Sequence, residues 1–526
     1  MLQTLSDLPI IYVLQSLRHR RDKQDHDPSS ASVTKPNGSH IEGRSASHDW
    51  ETHNANPQNW PFSRKVFTAS VIYIYTFVVY AGSAMYMSAV PVLVKQMGMS
   101  EQRALLGLSA YVLGYGAGPL LWGPMSEIPS IGRSVVYFSS FMVFIVITVG
   151  AASVDSFSTF VFLRSIQGFF GSPCLANGAA SMYDMFDETQ YPYALGLWTA
   201  AAYCGPALGP LLTDHLVHQL SWHWSIWLIA CMSAPVGVLL FVLPETYAPT
   251  VRLRRGLAAT GPPDVSAWAR LKFYLVKPVQ ITLQDPAVFF VNLYTSFIYS
   301  SYYIFFDAFP VAYLEGYGVS TGTLALFYLS VLVGCLVAAA VYFLILVPYI
   351  FCGRASTPDH EAEPDHANPT PHRNDNTHTN NNTSNNNKNQ ERNLLPALPA
   401  TLFLPLGLLL FGWTARPAIH WLPSLTGVVL YTGGVFVIFQ SLFLYLPQLY
   451  PRYAASLFAA NDFCRSALAA ASIHYGVPLY RNLGVGRGSS VLGGVSVLGV
   501  VGMVGMVVLG RRVRAGMGRW RDRETL

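Results

Sequence analysis

Charge disappears from this chain at regular intervals. Runs of roughly 20 residues or more without Lys, Arg, Asp or Glu separate Lys65 from Lys95, Arg103 from Glu127, Arg133 from Asp155, Glu188 from Asp214, and Asp214 from Glu245. The second half repeats the pattern between Asp285 and Asp307, Arg392 and Arg416, Arg416 and Arg452, and Arg487 and Arg511. A helix rises about 1.5 Å per residue, so about 20 apolar residues cross the hydrocarbon core of a bilayer. The pattern predicts helices at roughly 66–90, 104–126, 134–153, 157–181, 191–213 and 222–243. A second set falls at roughly 286–313, 322–351, 394–415, 421–447, 452–478 and 489–510. The fold class that follows is all-α and integral to the membrane, with about twelve transmembrane helices in two six-helix bundles. The expected organisation is a tail at 1–60, a bundle at 61–243, a linker at 244–284, a second bundle at 285–510 and a basic tail at 511–526.

Composition agrees: charged residues are 12% of the chain, against roughly 25% in soluble domains, and apolar types reach 52%. The net charge of +5 is unevenly spread. Arg511, Arg512, Arg514, Arg519, Arg521 and Arg523 crowd the C-terminus, and Arg252, Arg254, Arg255, Arg270, Lys272 and Lys277 sit in the linker against Glu245 and Asp264. These clusters flank apolar helices and lack stacking aromatics in series, which argues against nucleic acid as a partner. Cations accumulate on the cytoplasmic side, so both termini and the linker are expected in the cytosol. Near the N-terminus, the apolar run Leu8 to Leu17 precedes its cations Arg18, Arg20 and Arg21, the reverse of a signal peptide. It reads as a short amphipathic segment followed by a disordered stretch. The Asn-rich loop 353–393 cannot bury a core, and its sequon Asn381-Asn382-Thr383 is expected to be unmodified in the cytosol. Six cysteines without CxxC spacing point to neither a disulfide framework nor a zinc site.

Two bundles around a midplane cavity is a recurrent transporter architecture, and several motifs bear on it. Helix two carries small residues at Gly114, Gly118 and Gly123, which let a neighbour approach backbone to backbone. A tight turn then brings Glu127 near Arg133, either as a latch that is released when the halves rock or as a simple surface pair. In helix four, Arg164 is a cation in an apolar span; it either has a buried partner or snorkels to the interface. Helix five combines Gly205 and Gly209 with Pro206 and Pro210, a close-packing face on a helix that lacks two hydrogen bonds.

The segments Gly114-Tyr-Gly-Ala-Gly-Pro-Leu, Pro124-Met-Ser-Glu-Ile-Pro-Ser-Ile-Gly-Arg, Arg164-Ser-Ile-Gln-Gly-Phe-Phe-Gly-Ser-Pro and Gly205-Pro-Ala-Leu-Gly-Pro together resemble the fungal major facilitator superfamily. Within it, the chain is most similar to the twelve-helix drug:proton antiporters of the multidrug and cycloheximide resistance group, which includes toxin exporters. The likeness continues through Asn59-Trp-Pro61, Pro192-Tyr-Ala-Leu-Gly196, Leu243-Pro-Glu-Thr-Tyr247, Phe305-Phe-Asp-Ala-Phe-Pro310, His420-Trp421 and Tyr453-Ala-Ala-Ser-Leu-Phe-Ala-Ala-Asn461. The resemblance implies that Glu127 and Arg133 carry the loop signature after helix two, that Arg164 is tied to proton transfer, and that Gly205, Pro206 and Gly209 form an antiporter motif. It also marks departures: Asp307 stands for a usual Glu, Gln448 for a usual Asp, Leu444 for a usual Asn, Ser134 for a usual Asn, and Asp214 for a common Gly.

Proton coupling needs a carboxylate whose proton affinity changes with burial and pairing. Asp462 is the deepest acid, with Arg465 three residues on and able to pair on one face; a coupling site and a structural ion pair fit equally. Asp307 and Asp184 are alternatives, and Asp184 also belongs with the Glu127 and Arg133 latch. Tyr73, Tyr80, Tyr294, Tyr302, Phe306, Tyr431 and Phe439 offer aromatic faces for a cavity that suits bulky, weakly polar compounds. His215, His218 and His223 lack a carboxylate motif such as HExxH, so no enzyme, metal or cofactor is expected. The expectation is a monomeric plasma-membrane protein that expels lipophilic small molecules against protons. A dedicated exporter of one secondary metabolite is the alternative, and a nutrient importer the lesser one.

Overall fold

The computed structural model describes residues 50, 52–257, 276, 279–349, 391–450 and 454–525. The expected amphipathic segment at 8–17, most of the linker cations and nearly all of the Asn-rich loop lie outside the described residues. The described chain divides into two units: Met1–Gln280 with Phe458–Ala471, and Ile281–Leu457 with Ser472–Leu526.

The first unit contains α1 (Phe62–Met97), α2 (Glu101–Ser126), α3 (Arg133–Ala152), α4 in two segments (Phe157–Gly171 and Pro173–Met185), α5 (Tyr191–Gln219) and α6 (Trp224–Phe241). A short helix, Ala248–Arg254, follows. The second unit contains α7 (Pro286–Phe309), which runs on into a π-helical stretch Pro310–Gly316, then α8 (Thr321–Tyr349), α9 (Ala397–Thr414) and α10 (Trp421–Leu449). The series closes with α11 (Ala454–Leu483), whose middle turns count with the first unit, and α12 (Val485–Thr525).

Local chemistry sets several starts. Ser100 accepts from the Arg103 amide at 3.3 Å before α2. Asp285 accepts from Ala287 N at 2.9 Å, just ahead of Pro286, whose missing N–H costs nothing in a first turn. In α4, by contrast, Pro173 falls inside the expected continuous helix 157–181 and divides it into two segments, because proline cannot donate to the preceding turn.

Among the described residues, eight helices are long and apolar enough to cross a membrane by length and composition alone. The other four, α4, α5, α7 and α11, hold Arg164, Asp214, Asp307, Asp462 and Arg465. A helix facing a bundle interior can carry such groups, whereas one facing lipid cannot. Within the first unit, α2 packs on α4, α5 on α1, and α3 on both α4 and α6; within the second, α9 packs on α10 and α12, and α8 on α10.

Glycine decides the closest of these crossings. A Cβ on Gly114 would strike the Ser165 carbonyl, and one on Gly168 the Tyr111 carbonyl, so α2 and α4 meet backbone to backbone. This is the contact that the small residues of helix two predict.

Candidate functional site

One end of the first unit carries a dense polar lattice. Arg133, the first residue of α3, is 4% exposed. Its Nη2 lies 3.0 Å from Asp184 Oδ2, near the end of α4, and its Nη1 donates to the Asn177 carbonyl at 3.3 Å. Glu127, also buried, acts electrostatically on the same guanidinium. Glu127, Arg133 and Asp184 are therefore neighbours, and burial makes them more than a solvated pair. A buried ion pair that loses one partner typically costs about 3–5 kcal/mol, where an exposed one contributes about 0–1.

The lattice contains a residue to which sequence reasoning gave no role. Glu245, 2% exposed, follows α6 and accepts from Arg133 N at 3.0 Å, Ser134 N at 3.2 Å, Ser134 Oγ at 2.8 Å and Tyr247 N at 3.0 Å. Arg254 adds its charge at 3.5 Å and donates to the Ile131 carbonyl at 3.0 Å. The residue before α3 is Gly132 at φ 80°, which has no side chain to cap the helix. Glu245 supplies that cap from a distance, and its negative charge suits a helix N-terminus. Its place in Leu243-Pro-Glu-Thr-Tyr247 was legible, but a partner more than a hundred residues away was not.

Deeper in the same unit, Arg164 is fully buried and does not snorkel. Nη2 donates to the Gly82 carbonyl at 3.0 Å, Nε to the Gly107 carbonyl at 3.3 Å and Nη1 to Gln167 Oε1 at 2.8 Å. Gln167 in turn donates to Thr148 Oγ1 at 2.7 Å. The guanidinium lies 4.1 Å from the centre of the Tyr111 ring and 5.4 Å from that of Tyr86. Carbonyl dipoles, an amide and two aromatic faces thus replace its water. Gly205 and Gly209 of α5 press on α1: a Cβ on Gly205 would stand 2.7 Å from Ala81 N, and one on Gly209 3.0 Å from Met85 N. Pro206 lies between them, and α5 stays helical through it.

Asp462 and Arg465 do pair. Arg465 Nε donates to Asp462 Oδ1 at 2.8 Å, Nη2 reaches the same oxygen, and Nη2 also donates to Tyr80 Oη at 2.9 Å. Asp462 is 2% exposed, and its Oδ2 accepts no hydrogen bond among the described residues. Asp307, equally buried on α7, lies against Gly476 and within electrostatic reach of Tyr328 and Tyr480.

The seven expected cavity aromatics do not gather in one place. Tyr73 donates to the Ala194 carbonyl at 2.9 Å, and Tyr80 joins Arg465. In the second unit, Tyr302 and Phe306 form an edge pair at 4.8 Å, Tyr431 lies beside Phe305, Tyr294 stacks on Phe290, and Phe439 meets Phe443. The histidines are also divided: His218 faces Asp214 at 3.5 Å, and His223 faces Asp155 at 3.6 Å. Among the described residues, no three His, Cys, Asp or Glu side chains converge as a metal site would need.

Known proteins give this geometry its context. The chain is 35% identical to the MFS-type transporter pyvG of Aspergillus violaceofuscus, a match covering 84% of this chain and 79% of the relative. It is 31% identical to the cycloheximide resistance protein of Candida maltosa, covering 88% and 83%. Its fold resembles that of the solved proton:xylose symporter XylE, with a TM-score of 0.57 at 12% identity over 85% of this chain and 97% of that one. The sequence model of the Major Facilitator Superfamily matches residues 72–473, from the middle of α1 into α11, and the chain belongs to that family of multi-pass membrane transporters.

Proposed function

We propose that this transporter expels lipophilic small molecules across the plasma membrane in exchange for protons, acting as a monomer whose termini and linker face the cytosol. The proposal draws on the name of the cycloheximide resistance relative and on the charge asymmetry of the chain. The observation that carries it is the Asp462, Arg465 and Tyr80 cluster. A carboxylate is held in a membrane helix with one oxygen on a guanidinium and the other accepting nothing. A proton arriving at Oδ2 removes the charge that holds Arg465, and the guanidinium then turns more fully to Tyr80. Binding of an apolar compound and of a proton need not coincide; each has only to favour a different state of an alternating-access cycle. The Glu127, Arg133 and Asp184 lattice then serves as a latch on the cytosolic end, and Arg164 as a fixed positive charge inside the bundle. The seven aromatics offer faces that adapt to varied shapes as the cycle exposes them.

Expression in a yeast lacking its own drug pumps tests this. Growth and compound accumulation are scored over a panel of lipophilic inhibitors, with Glu127→Gln, Arg164→Ala and Asp462→Asn beside the parent. The parent should raise tolerance and lower accumulation. Asp462→Asn should lose dependence on an imposed proton gradient while still reaching the membrane. Accumulation in the parent equal to that of the empty vector would overturn the efflux reading, and an Asp462→Asn protein that still responds to the gradient would remove the coupling role.

A further inference from the structure

The two units end their fourth and tenth helices in matching ways, with one chemical difference. In the first unit, Asp184 is the penultimate residue of α4, and it binds Arg133, where α3 begins. In the second unit, the penultimate residue of α10 is Gln448. Its Oε1 accepts from Asn393 Nδ2 at 2.9 Å, and Asn393 lies just ahead of α9. The next residues also correspond. Phe186, directly after α4, lies under Lys65 near the start of α1 with the ammonium 5.7 Å from its ring. Tyr450, directly after α10, donates to Asp285 at the start of α7 at 2.9 Å. Each unit thus ties the same three helix ends together. Only the first uses an Arg and an Asp for the tie between its third and fourth helices.

We propose that Asn393 and Gln448 form the cytosolic latch of the second unit, an uncharged counterpart of the Arg133 and Asp184 pair. Asn393 is 3% exposed, so its amide is shielded from competing water. A pair bridging two helix ends must break or stretch when those ends part, so it opposes opening on that side. An amide pair contributes the modest free energy of one hydrogen bond, where a buried ion pair that loses a partner strands a charge. The chain therefore has a stiff tie in one unit and a soft tie in the other, and the soft one yields first. The residues between α8 and α9 that could have carried a matching charged turn are instead the long Asn-rich segment. The inference rests on the proposed orientation with these ends in the cytosol.

The test uses the full chain in inside-out vesicles, with native cysteines replaced and a reporter Leu444→Cys on α10, where the parent residue is 4% exposed. The rate of labelling by a membrane-impermeant maleimide reads how often the helix ends part. Asn393→Ala and Gln448→Ala should each speed labelling about 5-fold, the factor one ordinary hydrogen bond supplies. The double variant should match the singles, because both remove one interaction. The pair Asn393→Arg with Gln448→Asp should slow labelling below the parent rate. Thermal stability separates latch from packing: faster labelling at an unchanged melting temperature supports the latch. Unchanged labelling, or additive effects in the double variant, overturns it, as does faster labelling with a matching loss of stability. Efflux by the parent is measured in the same vesicles, so an absence of export would count against the transport reading without altering the labelling result.

Discussion

Glu245→Gln is the substitution whose consequence follows most directly from the geometry. The carboxylate accepts from two amides at the start of α3, from the Ser134 hydroxyl and from the Tyr247 amide, with Arg254 nearby at 3.5 Å. A glutamine keeps one acceptor oxygen and presents an NH2 where the second oxygen stood. Glu245 Oε2 takes both the Ser134 amide and hydroxyl, and Oε1 takes the amides of Arg133 and Tyr247, so either flip of the amide sets donors against donors. Hydrogen bonds to a charged group contribute about 1.5–3 kcal/mol each, and an anion at a helix start up to about 2. The hydroxyl can reverse its role and recover part of the loss, which leaves a net cost of about 3 kcal/mol. For a unit of about 150–250 residues, each kcal/mol lowers the melting temperature by about 2–4 °C. Purified, detergent-solubilised Glu245→Gln should therefore melt about 6–12 °C below the parent. Glu188→Gln, at an exposed position, should not shift at all. A Glu245→Gln protein melting within about 2 °C of the parent would refute the assignment of Glu245 as the cap of α3.

Three further outcomes follow from the same reasoning. Gly168→Ala should sharply reduce the amount of folded protein on a size-exclusion profile, since its Cβ meets the Tyr111 carbonyl, whereas Gly494→Ala, with open space around it, should behave as the parent. Arg164→Lys should lower efflux by about 10-fold or more at equal membrane abundance, because an ammonium cannot reach Gly82, Gly107 and Gln167 with one planar fork. Asp187 accepts from Thr189 and Gln190 ahead of α5; burial pushes its carboxyl up, but these bonds and the nearby Lys65 charge outweigh it and hold the group below its usual 3.8. With the folded value depressed, its small stabilisation is present above the ordinary value and is lost as pH falls through it. Asp187→Asn should therefore flatten the acid side of a stability–pH profile and leave neutral pH nearly unchanged.

Spacing of charges alone gave the membrane class and the helix order, because lipid imposes length and composition on a spanning helix more strictly than water does on a soluble one. Glycine positions were legible for the same reason: the 114 and 168 contacts need backbones to touch, and only glycine permits that. The Asp462 and Arg465 pairing was readable from a spacing of three. What could not be read was anything joined across sequence. Glu245 reaches Arg133 from the far side of three helices, Tyr80 meets Arg465 from α1, and Gln448 finds Asn393 across α9 and α10. Helix ends also drifted where proline or polar residues compete with the apolar pattern, as in the divided α4 and in α5, which runs on to Gln219.

Three guanidinium groups are buried in the first unit, and each is neutralised by a different means. Burial of a cation is unfavourable by several kcal/mol unless fixed dipoles or an opposite charge replace its water. Around Arg164 the replacement includes carbonyls and a side-chain amide, and none of those groups changes charge between pH 5 and 8. Arg133 lies at a helix end among Glu127, Asp184 and Glu245, with acids enough that loss of one charge leaves others. Arg465 is held by Asp462 and by a tyrosine hydroxyl, so a single proton on that carboxylate changes the whole balance. A cation surrounded by dipoles is a permanent fixture of the fold, and one shared among several acids responds weakly to any of them. The arrangement that a proton can switch is the one with a single acid. By that criterion, coupling belongs to α11, while the arginine of α4 supplies a constant field against which the switch works.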